Sequence, residues 1–392
     1  MNSIAFAQLG RRYQYKYAEI LFKQNLLFKL YTDLWFPYEL NKHFNSKIVK
    51  AIIERRNPNI PNYLVQSFNL LGVELSYKQR NCKDINELSL LLTKYGEKFS
   101  ALQTKYRVAD TVIGMCSESL EIFSLYKEKG KKTILIQYDS GDDEYIFSDE
   151  QNKFPEWKLS TFNRSEKYYS RIYKEWELAD KIIVNSIWAK NMIVNQGACE
   201  KKVHILPLVQ EINSYLIESK PVNLKNPIKV LYVGSIVLRK GVQYLLEASK
   251  RLSDKNFEFH IIGSSNLSHS ELRLMYPNVI FHEHIPFSEV TQFYKDSDVL
   301  VFPSLSDGFG SVQVEAMSYG LPVIASTSCA DVVEHGNSGF LIPPNNSIEI
   351  EKHLCFLEKN REFLEQMRYN AKKRSKDFSL ENISKKFIKI LR

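Results

Sequence analysis

Two short apolar runs, Val299–Phe302 and Val323–Ala325, bracket the stretch PSLSDGFGSVQVEAMSYGLP, and together they leave the chain little choice of fold. Runs this short, bounded by turn residues, read as strands buried on both faces. Pro303 and Ser304 end the first run, and Asp307-Gly308-Phe309-Gly310 has the composition of a turn. A helix is expected to begin near Ser311–Gln313 and to stop at Gly320, with Pro322 just beyond. Strand, loop, helix and strand in this order make a parallel βαβ unit. The helix then starts at the carboxyl end of a parallel strand. Its first N–H groups are unpaired and its dipole is positive there, so the position suits an anion.

Asp307 and Glu315 stand on either side of that turn. Carboxylates do not hold phosphate. Their expected use is to accept hydrogen bonds from sugar or ribose hydroxyls, while backbone N–H groups of Gly310, Ser311 and Val312 hold a phosphate between them. The plainer alternative is an ordinary strand–loop–helix in which Glu315 is a solvated first-turn acid.

The same alternation runs through most of the chain. Ile4–Ala7 reads as a strand closed by Gly10, followed by a helix over Tyr13–Phe22 and a strand over Leu27–Tyr31. Asp33–Arg107 reads as mostly helical. From Thr111–Met115 the pattern sharpens: helix to Glu128, strand at Thr133–Ile136, a long helix over Lys158–Leu178, strand at Ile182–Val184, and a helix N-capped by Ser186. Leu206–Pro227 loses the alternation and holds Pro207, Pro221 and Pro227, as a linker would. The alternation then restarts at Val230–Val233 and continues through Phe340–Ile342.

A second loop carries cations. Leu231-Tyr232-Val233-Gly234-Ser235 precedes Leu238-Arg239-Lys240-Gly241. Gly234 permits close backbone approach, and Lys240 with Arg239 can bind a diphosphate, the arginine through its fork. No Gly-Lys-Ser/Thr follows, so this is not a Walker loop. The alternative is two exposed cations at a helix start, where the dipole disfavours them.

These two loops together resemble the donor site of retaining glycosyltransferases of family 4, which have the GT-B fold. Asp307 stands where that family usually has glutamate, and Ser235 where it usually has arginine; Lys240 matches its lysine. Weaker echoes are FHIIG (Phe259–Gly263), HEHIP (His282–Pro286) and VVEHGNSGFLIPP (Val332–Pro344). The resemblance implies an α/β chain of two Rossmann-like βαβ domains facing across a cleft. The expected division is an acceptor domain over residues 1–206, a linker over 207–227 and a nucleotide-sugar domain over 228–375. A helix over 376–392 is expected to pack back on the first domain.

The resemblance further implies transfer of a hexosyl group from a nucleotide-diphosphate sugar, such as a UDP-sugar, with retention of configuration. Asp307, Lys240 and Arg239 would act on the reacting sugar diphosphate. Gly234, Ser235, Ile285, Gly308, Phe309, Gly310, Ser311, Val312 and Glu315 would hold the donor, with Gly10 on the acceptor side. No cofactor and no bound metal are expected. Two other readings stay open: a non-catalytic GT-B subunit that binds a partner transferase, which the departures at Asp307 and Ser235 allow, and a sugar-nucleotide 2-epimerase.

Charge bears on the acceptor. The net charge of the 392-residue chain is +8, yet residues 1–107 hold 17 Lys/Arg against 8 Asp/Glu while the rest hold 36 against 37. A basic first quarter fits attraction to an anionic membrane surface or an anionic acceptor, or simply a solvated basic face; together with the resemblance it implies a lipid-linked saccharide acceptor, as in assembly of a surface polysaccharide. No nucleic-acid motif accompanies it. Aromatics and basics at Trp35, Phe36, Tyr38, Lys42, His43, Phe44 and Lys47 either contact acceptor and headgroups or pack two helices together. Five scattered cysteines form no Cys-x-x-Cys pair, which points to a reducing compartment. With no leader and no long apolar run, a cytoplasmic or peripheral location is expected. Asp139–Glu144 reads as a solvated acidic turn or a cation or acceptor site. Asp296-Ser297-Asp298 reads as a helix-end turn, because it precedes a strand. His282 and His284 lack a third metal ligand.

Overall fold

The computed structural model describes residues 3–36, 55–82, 85–141, 144–157, 164–210, 226–265, 267–283 and 285–392. The described chain divides into two compact units, each built on a parallel sheet.

In the first unit the strands are β1 (Ile4–Gln8), β2 (Leu27–Thr32), β3 (Val65–Ser67), β4 (Thr111–Met115), β5 (Lys132–Gln137), β6 (Lys181–Val184) and β7 (Val203–Ile205). Their order across the sheet is β3-β2-β1-β4-β5-β6-β7, and every pairing is parallel. The central strands are buried along their length, Phe6, Ile113 and Ile136 among them. Helices on both faces therefore cover them, which is why they read as continuous apolar runs.

The second unit carries β8 (Ile228–Val233), β9 (Phe257–Ile262), β10 (Val279–His282), β11 (Val299–Phe302), β12 (Val323–Ser326) and β13 (Gly339–Ile342). The order is β10-β9-β8-β11-β12-β13, again all parallel. Val230 of β8 lies opposite Phe259 on one side and Val299 on the other. Both sheets reverse direction of winding next to their first strand, between β1 and β4 and between β8 and β11. Ligands of such sheets bind outside the carboxyl ends of the strands at this switch point. In the second unit the loops that leave there are 234–241 and 303–310.

The helix after β11 spans Ser311–Ser318, inside the range the sequence predicts. Side chains cap other helices where sequence chemistry allows. Ser268 and Glu271 form a reciprocal capping box, and Ser165, Asn346 and Ser379 each accept an N–H three residues on. Ser186 Oγ likewise accepts Ala189 N–H at 3.0 Å.

Several expectations need correction. The segment after Gly10 is not one helix: Arg12–Tyr15 is a tight turn with Tyr13, Gln14 and Tyr15 left-handed, and the helix proper is Lys16–Lys23. The mostly helical Asp33–Arg107 also contributes the short edge strand β3. The described part of the long helix begins at Glu166, capped by Ser165, and an unforeseen helix covers Glu144–Lys153. A single cut near residue 206 does not describe the division: the described residues 144–157 and 185–189 group with the second unit, as does the C-terminal helix Leu380–Leu391. Trp157 explains the first of these, since its side chain is buried in the second unit's core with Ile228, Tyr244 and Tyr276.

Trp35 is buried, donates from Nε1 to Asn62 Oδ1 at 3.0 Å and meets the edge of Tyr15, so it is a packing residue. Tyr38, Lys42, His43, Phe44 and Lys47 lie outside the described residues, as do Asp142, Asp143 and His284. Asp139 is no solvated turn residue. It accepts from Gln137 Nε2 at 2.5 Å and from Tyr168 Oη at 2.8 Å, with Arg164 at 3.8 Å. None of the five cysteines is in a disulfide. No helix of the described residues is long and apolar enough to cross a membrane.

Candidate functional site

The site in the second unit is made where the turn after β8 meets the loop after β11. β8 ends at Val233, and Gly234 N–H still donates to Ile262 O at 3.0 Å, so the chain leaves the sheet beside β9. A Cβ on Gly263 would lie 1.9 Å from Gly234 O, so close approach of these two backbones is what excludes a side chain there. Ser235 is exposed, and its carbonyl accepts from Tyr232 Oη at 2.7 Å. Leu238–Lys240 forms one 3-10 turn, closed by Gly241 in the left-handed region at φ 68°. A Cβ on Gly241 would lie 1.9 Å from Pro303 O. Glycine at 241 thus lets the two loops touch.

Side chains then tie the loops together. Lys240 Nζ forms a direct ion pair with Asp307 Oδ2, both side chains largely buried. Arg239 Nη1 donates to Ser306 O at 2.7 Å, and Leu305 N–H donates to Arg239 O at 2.9 Å. Asp307 also accepts Phe309 N–H at 3.2 Å through Oδ1, which shapes the Gly-Phe-Gly turn. Burial pushes the Asp307 carboxyl up, but the cations of Lys240 and Arg239 outweigh it, and the group is held below its ordinary value.

Phe309 points inward and meets Phe378 edge-on at 5.8 Å, leaving Gly308 and Gly310 half-buried around it. Gly310 is the N-cap of the helix Ser311–Ser318 and is left-handed at φ 71°. Gly310 gives this helix no side-chain cap, and first-turn N–H groups of such a helix, here those of Ser311 and Val312, suit an anion.

Glu315, one turn in, has different partners from Asp307. Tyr294 Oη donates to Glu315 Oε2 at 3.2 Å, and the Ser311 hydroxyl also bonds to it. Burial raises its carboxyl above the ordinary value despite these two bonds. Ile285 is half-buried just past β10.

Sequence reasoning missed the residues that brace these loops. Gln313, fully buried, donates to Phe309 O at 3.0 Å and fixes the glycine turn from behind. Tyr294 comes from the helix Phe287–Asp296 and orients Glu315. Their signal was faint: a glutamine inside an apolar helix start and a tyrosine on a helical apolar face. Asp298 is structural, accepting Lys229 N–H at 2.9 Å and Arg368 Nη1 at 3.2 Å, as a helix-end turn requires. His282 Nε2 pairs with His260 Nδ1 at 2.9 Å. Among the described residues no group of three or more His, Cys, Asp or Glu is placed to hold a metal ion.

In the first unit, Gly10 sits beyond β1 at φ 80°, its N–H bonded to Asp33 Oδ1 at 2.9 Å. Gln8 Nε2 donates to Gly10 O and Arg12 O at 2.9 and 2.7 Å. Leu9 N–H donates to Glu118 Oε1 at 3.1 Å, and Arg12 lies 3.6 Å from the same oxygen. Burial drives Glu118 up to about 7 in spite of Arg12.

Residues 216–374 match the family described as glycosyl transferases group 1. An uncharacterized glycosyltransferase of Methanocaldococcus jannaschii is 34% identical over 157 residues, 38% of this chain and 44% of that protein. A capsular polysaccharide biosynthesis glycosyltransferase of Staphylococcus aureus is 29% identical over 207 residues, 50% of this chain and 54% of that protein. The chain spans about half the length of the first curated relatives it matches. Anabaena HepE, solved in complex with UDP, superposes with a TM-score of 0.64 at 17% identity, over 100% of this chain and 99% of that one. Residues 216–374 are thus similar to the group 1 glycosyltransferases, and the two parallel sheets have the GT-B fold.

Proposed function

We propose that this protein is a retaining, metal-independent glycosyltransferase of the family 4 type that uses a nucleotide-diphosphate sugar. The observation that carries the reading is the junction of Lys240, Arg239 and Asp307 beside the uncapped helix start at Ser311. Cations and free N–H groups meet there, so a diphosphate leaving group gains charge stabilisation as its bond to the sugar breaks. Gly234 and Ser235 give the diphosphate close backbone approach. Asp307 accepts a sugar hydroxyl while holding Lys240, and Glu315 accepts ribose hydroxyls. Ile285 and its neighbours meet the base, for which UDP is the first candidate, as HepE was solved with UDP.

On this reading the acceptor hydroxyl attacks the face the diphosphate leaves. A bond forms from the acceptor oxygen to the anomeric carbon, the bond to the phosphate oxygen breaks, and the acceptor proton passes to the departing diphosphate. The Gly10 loop serves the acceptor side. The acceptor is a lipid-linked or surface-polysaccharide saccharide, in line with the capsular relative and the basic first quarter.

Incubation with nucleotide sugars and lipid-linked saccharides, followed by NMR of the product, tests the reading. An α-sugar donor yielding an α-linked product supports it. A β-linked product overturns retention, and nucleotide sugar left intact with every acceptor and candidate partner favours the non-catalytic subunit. Lys42→Glu with Lys47→Glu tests the membrane side: loss of binding to anionic vesicles supports peripheral attachment, and unchanged binding removes it.

A further inference from the structure

The helix Glu144–Lys153 and the turn Pro155–Trp157 follow β5 in the chain yet are packed into the second unit. Trp157 is buried in that unit's core, and Phe154 meets Tyr244 edge-on at 5.7 Å. Between these apolar anchors sits a carboxylate. Glu150 is 1% exposed, far from the condition of an ordinary helical glutamate.

Its oxygens are fully engaged. Oε2 accepts from Gln243 Nε2 at 2.8 Å, both oxygens accept from Tyr244 Oη at 2.8 and 3.0 Å, and Oε1 pairs with Lys153 at 2.9 Å. The same Gln243 nitrogen donates to Leu238 O at 3.0 Å. Leu238 opens the turn that carries Arg239 and Lys240, and its carbonyl also accepts Gly241 N–H at 2.8 Å. A continuous chain of bonds thus runs from Glu150 through Gln243 to the lysine's turn.

This chain is an expensive way to attach a helix. Gln243 turns its nitrogen to two acceptors, and its Oε1 is left buried without a partner. Apolar residues of like size would hold the helix as well or better. What the polar chain adds is a fixed orientation for the Leu238 carbonyl.

We propose that Glu150 is a positioning residue for Lys240: through Gln243 it sets the Leu238–Gly241 turn so that the lysine meets the second phosphate of a nucleoside diphosphate. The inference rests on the donor-site reading above. Glu150 touches no substrate.

The test is calorimetric binding of UDP, GDP and ADP and of the matching monophosphates to wild type, Glu150→Ala, Glu150→Gln, Gln243→Leu and Lys240→Ala, with the Glu150→Ala/Lys240→Ala double variant. Loss of the positioning bond weakens the diphosphate roughly tenfold and leaves the monophosphate unchanged. Glu150→Gln, which keeps an acceptor for Gln243, recovers most of the loss. Gln243→Leu reproduces it with the helix still packed, and so serves if Glu150→Ala fails to fold. In the Lys240→Ala background Glu150→Ala has no further effect. Equal losses of mono- and diphosphate, additive losses in the double variant, or unchanged binding in both Glu150→Ala and Gln243→Leu would overturn the proposal while leaving the donor site standing. Wild type that binds no diphosphate overturns the donor-site reading, and this inference with it.

Discussion

Arg239 Nη1 donates to the carbonyl oxygen of Ser306 at 2.7 Å, so this arginine is a strut between the two loops of the site as well as a cation beside them. An arginine used this way holds Asp307 and the glycine turn in place, where the proposed diphosphate would sit. Arg239→Ala is therefore expected to lower both the melting temperature and nucleotide affinity, the latter by roughly tenfold. Arg239→Lys keeps the charge but not the planar fork, and is expected to restore less than half of the melting-temperature loss. Differential scanning fluorimetry with and without nucleotide separates the two effects.

Asp307 makes acid stability depend on its pair with Lys240. Its folded-state value lies below the unfolded value of about 3.9, so its contribution is complete above roughly pH 5 and is lost as pH falls through the lower folded value. Asp307→Asn is expected to cost on the order of 1–3 kcal/mol at pH 7 and to flatten the acid limb of the melting curve below pH 4. A variant with an unchanged acid limb would show that the pair contributes nothing.

Glu118 works in the opposite sense. Burial lifts its folded-state value from 4.5 to about 7, so folding favours the protonated form. Its contribution is complete below the unfolded value and falls away as pH rises from about 4.5 to 7. Glu118→Gln keeps an acceptor for Leu9 N–H and is expected to remove that decline, on the order of 1–3 kcal/mol. Denaturant melts between pH 4.5 and 8 measure the slope directly.

Gly241 and Gly336 isolate the contact between the loops. Both are left-handed, at φ 68° and 74°. A Cβ at 241 strikes Pro303 O at 1.9 Å, whereas one at 336 meets nothing within 4 Å. Gly336→Ala is expected to cost about 1 kcal/mol from backbone strain alone. Gly241→Ala is expected to cost over 3 kcal/mol and to abolish nucleotide binding. Equal costs would mean that the loops part freely.

Most strands were legible because parallel strands buried on both faces leave unbroken apolar runs. Thr111–Met115 and Val299–Phe302 agree end to end. β3 was not, since Val65–Ser67 is a three-residue, half-buried edge strand with little apolar content. In the site, the charged and glycine residues announced themselves by spacing: Lys240, Asp307 and the Gly310 cap come together as the pattern suggests. Gln243, Gln313 and Glu150 did not: Gln313 braces the backbone four residues before it, which no side-chain pattern marks, and Gln243 and Glu150 meet only because the fold brings together residues 93 apart. The helix Glu144–Lys153 shows the same limit. Nothing in its sequence says that Trp157 is buried with Ile228 and Tyr276.

The proposed nucleoside-diphosphate site is built on Lys240, Asp307 and the start of the helix Ser311–Ser318. The most direct measurement is the melting temperature of the full chain against UDP, GDP, ADP and CMP and their common sugars. A ligand at 100 times its dissociation constant adds about 2.7 kcal/mol. A clear upward shift is expected with one diphosphate nucleotide, absent in Lys240→Ala and in Glu315→Ala. A wild-type protein whose melting temperature moves with none of them, or whose shift survives both substitutions, would contradict it.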